Sequence, residues 1–369
     1  MNKMNADFIN IDMKKLCVVF GGASSEHDIS IITGMQLASN LVDKNIEKIY
    51  LSLENKLFLA TKIVDLQKFY KKSELNLKEV YFSNGAVYVK GMFNKKLFDV
   101  ECVINCCHGG VGENGDLCAY LNLNGVKCTS ANPLASHIAM NKSLTKKLVE
   151  GIVPIVKGVE VTKSNFNDRI ELIKNEFAED LIVKPNSLGS SIGVKACNKQ
   201  NFTEQINAIF EMNDTALVEE RVVDLVEYNQ ACFKDENELI VSAIEQPLTK
   251  NNFLTFEDKY QNTSKGKGSD RIIPAKISKK LQEKISNYTK QIYEKLNMSG
   301  VVRIDYIFDK ATNTLYFNEI NTIPGSMAFY LYEPIGIDYI TLIEKIVKNA
   351  ENIKKFTYFD TDILKEKKL

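Results

Sequence analysis

Residues 300–325, GVVRIDYIFDKATNTLYFNEINTIPG, decide how this chain is read. Val301, Arg303 and Asp305 alternate with Val302, Ile304 and Tyr306, the period-two pattern of a strand. Turn-forming residues fill 309–313, and residues 315–321 form a return strand. Residues two apart on a strand share a face. A hairpin turning about Thr312 therefore sets Asp305 opposite Glu319 and Arg303 opposite Asn321. Two carboxylates, an amide and a guanidinium then occupy one face.

Hard oxygen donors of this kind suit Mg²⁺ or Mn²⁺, which complete their shells with water and phosphate oxygens. A guanidinium beside them can face developing negative charge in phosphoryl or acyl transfer. Read alone, the same face is equally a cross-strand ion-pair cluster that only aligns the hairpin. The rest of the chain bears on that choice.

With 369 residues, the chain is long enough for two or three packed domains. Its 47 basic and 47 acidic residues cancel, so net charge supplies no reason to expect nucleic acid or a membrane surface as partner. No apolar run reaches the roughly 20 residues of a membrane span. Residues 1–14 read as a polar leader without the apolar core of a secretory signal. Eight cysteines, most within apolar stretches and none in a CxxC pair, read as reduced core residues of a cytoplasmic protein.

Upstream, residues 15–130 alternate strands and helices and are expected to form a small doubly wound parallel sheet. GGASSEHDIS (21–30) is a glycine turn opening a helix, with Glu26 at its mouth. There it favours an ammonium group, or simply complements the helix dipole. His108 opens a second glycine loop, HGGVGENGDL (108–117). Asn132-Pro133 starts a helix expected to run to about residue 150, with Lys142 inside it. A strand at 181–183 leads into Lys184 and KPNSLGSSIGV, a loop whose backbone N–H groups and hydroxyls suit phosphate; it lacks the GK[ST] of a Walker A loop. Asn201 and Glu204 form a plausible capping pair. A strand at 216–220 carries Glu219 and Glu220, which with Glu227 can hydrogen-bond a base and a ribose. Residues 256–270, FEDKYQNTSKGKGSD, have lid composition. Ser278 and Asp338 cap two further helices, and 351–369 form a basic tail.

Taken in order, GGASSEHDIS, HGGVGENGDL, MNKSLTK, VKPNSLGSSIGV, a strand into Glu220, EDKY and RID…NEINTIPG resemble the D-alanine–D-alanine ligase family over residues 15–350. That resemblance implies the ATP-grasp fold, with an N-terminal α/β domain (15–130), a central subdomain (131–245) and a C-terminal catalytic subdomain (246–350) carrying the lid. It implies ATP as co-substrate, two Mg²⁺ or Mn²⁺ ions, a cytoplasmic enzyme and a homodimer. The expected reaction joins two D-alanine molecules through an acyl phosphate. Another acceptor such as D-serine, or a nucleotide-binding paralogue without turnover, are the alternatives.

Residue by residue, the resemblance assigns Lys142, Lys184, Ser191 and Lys259 to ATP phosphates and Glu220, Val223 and Glu227 to adenine and ribose. Asp305, Glu319 and Asn321 match its metal ligands. Arg303 and the Gly325 N–H match its oxyanion donors. Glu26 matches the carboxylate for the first substrate's ammonium, Ser190 and Tyr260 the partners linking Glu26 to the lid, and His108 a histidine near that substrate. The chain also departs from the family. Tyr330, before Leu331, stands where a serine is expected to grip the second substrate's carboxylate. Asn141 and Asn114 replace usual aspartates, and the glycine before Glu227 is missing.

Overall fold

In a computed structural model, residues 14–41, 46–70, 77–248 and 271–352 are described. The first unit runs β1 (Lys15–Gly21), α1 (His27–Asn40), β2 (Ile46–Leu51), β3 (Leu57–Leu59), α2 (Gln67–Tyr70), β4 (Lys78–Ser83), β5 (Ala86–Val89), β6 (Lys95–Asn105), α3 (Gly110–Glu113) and α4 (Asp116–Leu123). The buried apolar run of β1 pairs in parallel with β2 and β6, as the sequence leads one to expect. The expectation of a doubly wound parallel sheet fails beyond these three strands. The pairs β2–β3, β3–β4, β4–β5 and β5–β6 are antiparallel, and the ring closes into a barrel. The links are the reason. Ser52 N–H bonds to the Lys56 carbonyl in a tight turn, and Asn84-Gly85 turn at φ 48° and 76°. Neither has room for a crossover helix. Residues 126–130 contribute only a single bridge to this sheet, Val103 to Cys128. Helix α1 lies so close on β1 that a Cβ at Gly34 would meet the Phe20 side chain, its Cβ at 2.4 Å.

The helix expected over 133–150 is two, α5 (Pro133–Met140) and α6 (Lys142–Val149). Asn141 breaks it: its backbone is extended (ψ 98°) and its side chain accepts from Leu144 N–H, so it caps the second helix. Lys142 is thereby the first residue of α6. The next sheet contains β7 (Gly158–Thr162), β8 (Asp180–Pro185), β9 (Lys195–Asn198) and β10 (Thr215–Glu220), in the order β7-β10-β8-β9. Helices α7 (Phe166–Glu176) and α8 (Phe202–Phe210) cover it through Ile173, Phe202 and Ile206. Asn201 does not bond into α8; its side chain accepts from Asn198 N–H instead.

A third unit comprises β11 (Leu225–Asp235), β12 (Glu238–Pro247), β13 (Arg271–Ile272), α9 (Lys279–Lys295), β14 (Val302–Asp309), β15 (Thr314–Asn321), α10 (Phe329–Tyr332) and α11 (Tyr339–Lys348). Its sheet runs β13-β12-β11-β14-β15. A boundary at residue 245 falls inside β12, because β11 and β12 pair with β14 and belong to this sheet. Ala135, Ala139 and Val149 of α5 and α6 join its core, against Tyr306 and Phe317. Ser278 and Asp338 cap α9 and α11 as expected.

Candidate active site

The hairpin β14–β15 pairs Asp305 with Glu319 and Arg303 with Asn321, as alternation predicts. The route to that register is less simple. Nearer the turn, Tyr306 faces Phe317, so Asn318 is an extra residue, a bulge. A one-residue slip would turn Glu319 to the opposite face; the bulge supplies the residue that prevents it. Arg303 grips Asp305 with two parallel bonds, Nε and Nη2 each 2.7 Å from a carboxylate oxygen. Asn321 Nδ2 donates to Asp305 Oδ2 at 2.9 Å. Burial works against the charged guanidinium, but Asp305 outweighs it and holds Arg303 protonated.

The same face continues across the sheet. Asp305 pairs with Asn229 on β11, and Asn229 with Glu245 on β12. Glu245, Asn229, Asp305 and Glu319 thus form one row over four adjacent strands. Sequence reading missed Asn229 and Glu245, because nothing local announces which strands become neighbours.

On the Glu319 side lies a cleft walled by Lys142, Lys184, Ser191, Glu219, Glu227 and Asn318, among others. Lys142 Nζ is 3.5 Å from Glu319 and 2.5 Å from the Leu188 carbonyl oxygen. Lys184 Nζ is 2.6 Å from Glu219, and Lys146 Nζ 2.5 Å from it. Burial pushes the Glu219 carboxyl up, but the two ammonium groups outweigh it and hold it at about 2. The same burial pulls Lys142 and Lys146 below the ordinary lysine value. Lys146 looked like one more helix-surface lysine. Glu220 lines the cleft and accepts from Ala178 N–H at 3.0 Å; Val222 also faces the cleft, and the side chain of Val223 beside it is exposed.

Toward the barrel, Ser190 donates its hydroxyl to Glu26 Oε1. Both side chains are buried, and Ser190 and Ser191 take left-handed φ of 54° and 59°. His108 is buried between units, with Nδ1 2.7 Å from the Ile323 carbonyl oxygen and Nε2 2.9 Å from Thr33 Oγ1. A carbonyl only accepts, so Nδ1 carries the proton and Nε2 accepts from Thr33. Burial lowers the His108 pKa further, favouring the neutral ring. Glu113, another residue that sequence reading passed over, accepts from the N–H groups of Gly109, Thr322 and Ile323 at 3.0, 2.9 and 3.2 Å. It ties the barrel's glycine loop to the end of the hairpin.

After Pro324 the chain makes three left-handed residues in succession, Ser326, Met327 and Ala328, at φ 49°, 55° and 52°. Such residues cost roughly 1–2 kcal/mol each. Burial of Met327 and Ala328 in the core offsets this. The turn holds Gly325 beside open space and delivers Tyr330 to the face of the row. The Leu331 side chain lies in the core. The Tyr330 hydroxyl meets a carboxylate, but a protein one, Glu245 Oε2 at 3.3 Å. Lys259 and Tyr260 lie outside the described residues, as does the lid stretch 256–270.

The chain matches the family models for the N-terminus (residues 15–131) and C-terminus (residues 150–348) of D-ala D-ala ligase. It belongs to the D-alanine–D-alanine ligase family. A D-alanine–D-alanine ligase from Thermosipho melanesiensis is 33% identical over 366 residues, covering 96% of this chain and 99% of that protein. One from Campylobacter jejuni subsp. jejuni serotype O:6 is 31% identical over 346 residues, covering 93% and 96%. Among solved structures, the D-alanine–D-alanine ligase of Helicobacter pylori superposes with TM-score 0.77 at 27% identity, over 92% of this chain and 99% of that one. The VanG D-Ala:D-Ser ligase of Enterococcus faecalis superposes with TM-score 0.79 at 25% identity, over 91% and 98%. The fold is accordingly the ATP-grasp fold of an ATP-dependent ligase. Among the described residues, no helix is long and apolar enough to cross a membrane.

Proposed function

We propose that this protein joins two D-alanine molecules, at the expense of ATP, to D-alanyl-D-alanine, a precursor of peptidoglycan. The observation that carries the reading is the row Asp305–Glu319 with Arg303 on one side and the lysine-lined cleft on the other. ATP would lie in the cleft, its phosphates toward Lys142, Lys184 and Ser191, and its adenine and ribose toward Glu220 and Glu227. Val223, next to Val222 of the cleft wall, would complete that assignment. The first D-alanine would set its ammonium on Glu26, and its carboxylate oxygen would attack the γ-phosphorus. ADP leaves, and a mixed anhydride forms. The amine of the second D-alanine then attacks the carbonyl carbon. Arg303 and the Gly325 N–H would take up the oxyanion, and inorganic phosphate departs with the attacked carboxylate's oxygen. An acyl phosphate is labile in water, so closure over the site by the lid, with Lys259 and Tyr260, is part of the proposal.

The donor set fits a hard divalent cation. Two carboxylates directly paired across β14 and β15, with an amide between Asp305 and the strand end, are oxygen ligands of the kind Mg²⁺ and Mn²⁺ take. Asp305, Glu319 and Asn321 would hold one or two such ions, which would neutralise phosphate charge. Arg303 would then share Asp305 with the metal.

Cysteines that are all free and buried agree with a reducing, cytoplasmic setting. A homodimer rests on family resemblance, and the mass of the protein in solution tests it. D-Serine as acceptor is the second reading, favoured by the likeness to VanG and by the altered residue at 330. The test is ADP release from Mg-ATP with D-alanine alone and with D-serine added, the product identified by mass. A D-alanine dipeptide from D-alanine alone supports the first reading. Product only with D-serine supports the second. ATP binding without ADP release under either condition contradicts both.

A further inference from the structure

A buried polar cluster that the proposed reaction leaves unused lies at the β12 end of the row. Glu245, nearly fully buried, is met by three side chains. Tyr330 Oη donates to its Oε2 at 3.3 Å. Arg271 Nη1 lies 3.1 Å from its Oε1. The Asn229 amide lies between Glu245 Oε2 and Asp305 Oδ1, 3.3 Å from each, with its NH₂ able to donate to one or the other. The Arg271 guanidinium is stacked on the Tyr330 ring, 4.6 Å from its centroid. Three elements are thereby joined: β12, the first residue of β13, and α10.

Position gives the cluster its meaning. ATP phosphates have their cleft at the Glu319 end of the row. Glu245 is two strands from Asp305 in the other direction, roughly 10 Å by strand spacing. With the nucleotide's cleft at the Glu319 end of the row, an acceptor amine is left the other side from which to reach the acyl carbon. On this sheet that side ends at Glu245, Arg271 and Tyr330. An amino-acid acceptor brings a carboxylate, and a guanidinium is the group that recognises a carboxylate in a planar, two-point manner. Five N–H donors let one guanidinium hold Glu245 and a second carboxylate together.

We propose that Arg271, braced by Glu245 and the Tyr330 ring, is the counter-charge for the acceptor's carboxylate and sets the requirement for an α-amino acid as second substrate. Resting on the ligase reading above, this assigns the acceptor end of the same site. Tyr330 has a supporting part: its hydroxyl is turned to Glu245 and its ring carries the guanidinium. Glu245 and Tyr330 are positioning residues, and Arg271 touches substrate.

The experiment uses the full-length enzyme with Mg-ATP, D-alanine, and D-alaninamide as a competing acceptor without a carboxylate. The ratio of D-alanyl-D-alanine to D-alanyl-D-alaninamide is measured by mass. Wild type should favour the dipeptide. Arg271→Met should lower the ratio about 10–100-fold, the worth of a charge-assisted hydrogen-bonded pair, with the ATP KM unchanged as the control for folding. Arg271→Lys, which keeps charge but not the fork, should fall between. Glu245→Gln should move the ratio in the same direction by less. An unchanged ratio in Arg271→Met, with dipeptide still formed, overturns this assignment and leaves the ligase reading intact. Failure of wild type to form either product overturns the ligase reading and this assignment with it.

Discussion

Ser190, in the loop between β8 and β9, donates its hydroxyl to Glu26, 164 positions earlier on the barrel. The bond closes the central sheet onto the N-terminal unit at the point where the first substrate's ammonium is proposed to sit. Ser190 holds a left-handed backbone to make it, so the loop's conformation and the orientation of Glu26 are set together.

Ser190→Ala should therefore act on orientation more than on stability. Loss of a charge-assisted bond is expected to lower kcat/KM for D-alanine about 10–100-fold. The ATP KM should stay as it is. Steady-state kinetics with each substrate varied checks the split; equal damage to both constants would mean that the loop as a whole has moved.

The buried trio Lys146, Glu219 and Lys184 governs stability at low pH. The folded-state carboxyl of Glu219 lies at about 2, below an ordinary value near 4.3. Its contribution is therefore fully present above about pH 4.3 and is lost as pH falls toward 2. Glu219→Gln leaves two buried ammonium groups without their counter-ion and should cost about 3–5 kcal/mol at neutral pH. Denaturant melts of both proteins at several pH values measure this, and the variant's acid sensitivity should be the weaker of the two.

Glu113 behaves in the opposite sense. Burial, aided by nearby Glu26, pushes its carboxyl up to about 7 in spite of three backbone N–H donors. The folded state binds a proton that the unfolded chain has released, so this group's contribution falls as pH rises from about 4.5 to 7. Glu113→Gln should flatten that part of the stability profile. It also sets an NH₂ against one of the N–H groups it now accepts from, a loss of about 1–3 kcal/mol at pH 5. Melts at pH 5 and pH 8 test both statements.

Asn141 accepts from Leu144 N–H, Asn186 Nδ2 and Ser143 Oγ through one oxygen. Asn141→Ala should cost about 1–2 kcal/mol and raise the ATP KM, because Lys142 follows directly. Asn141→Asp keeps the accepting oxygen and should be close to neutral in both measurements.

How much of this was legible beforehand depends on range. Alternation from Val301 to Tyr306 was enough to pair Asp305 with Glu319, because side-chain period is a local property. The bulge at Asn318 that makes the pairing possible was not, since it is a relation between two strands. Asn141 carried its cap signal in plain view, yet the apolar pattern ran through it and suggested one helix. In the barrel, β1 and its glycine turn were readable, whereas closure depended on short links that force antiparallel pairing. Glu113, Lys146, Glu245 and Arg271 looked like ordinary charged residues. Their meaning comes from partners 209, 73, 85 and 26 positions away, which only the folded chain brings together.

The central claim is that the carboxylate of the first D-alanine becomes an acyl phosphate. Its most direct test is turnover of Mg-ATP with D-alanine labelled with ¹⁸O in the carboxylate, followed by mass analysis of the phosphate released. The account predicts one labelled oxygen in each inorganic phosphate formed with dipeptide, because that oxygen attacks the γ-phosphorus and leaves with it. Dipeptide formed alongside unlabelled phosphate would contradict it, since water and not the substrate would then have taken the phosphoryl group.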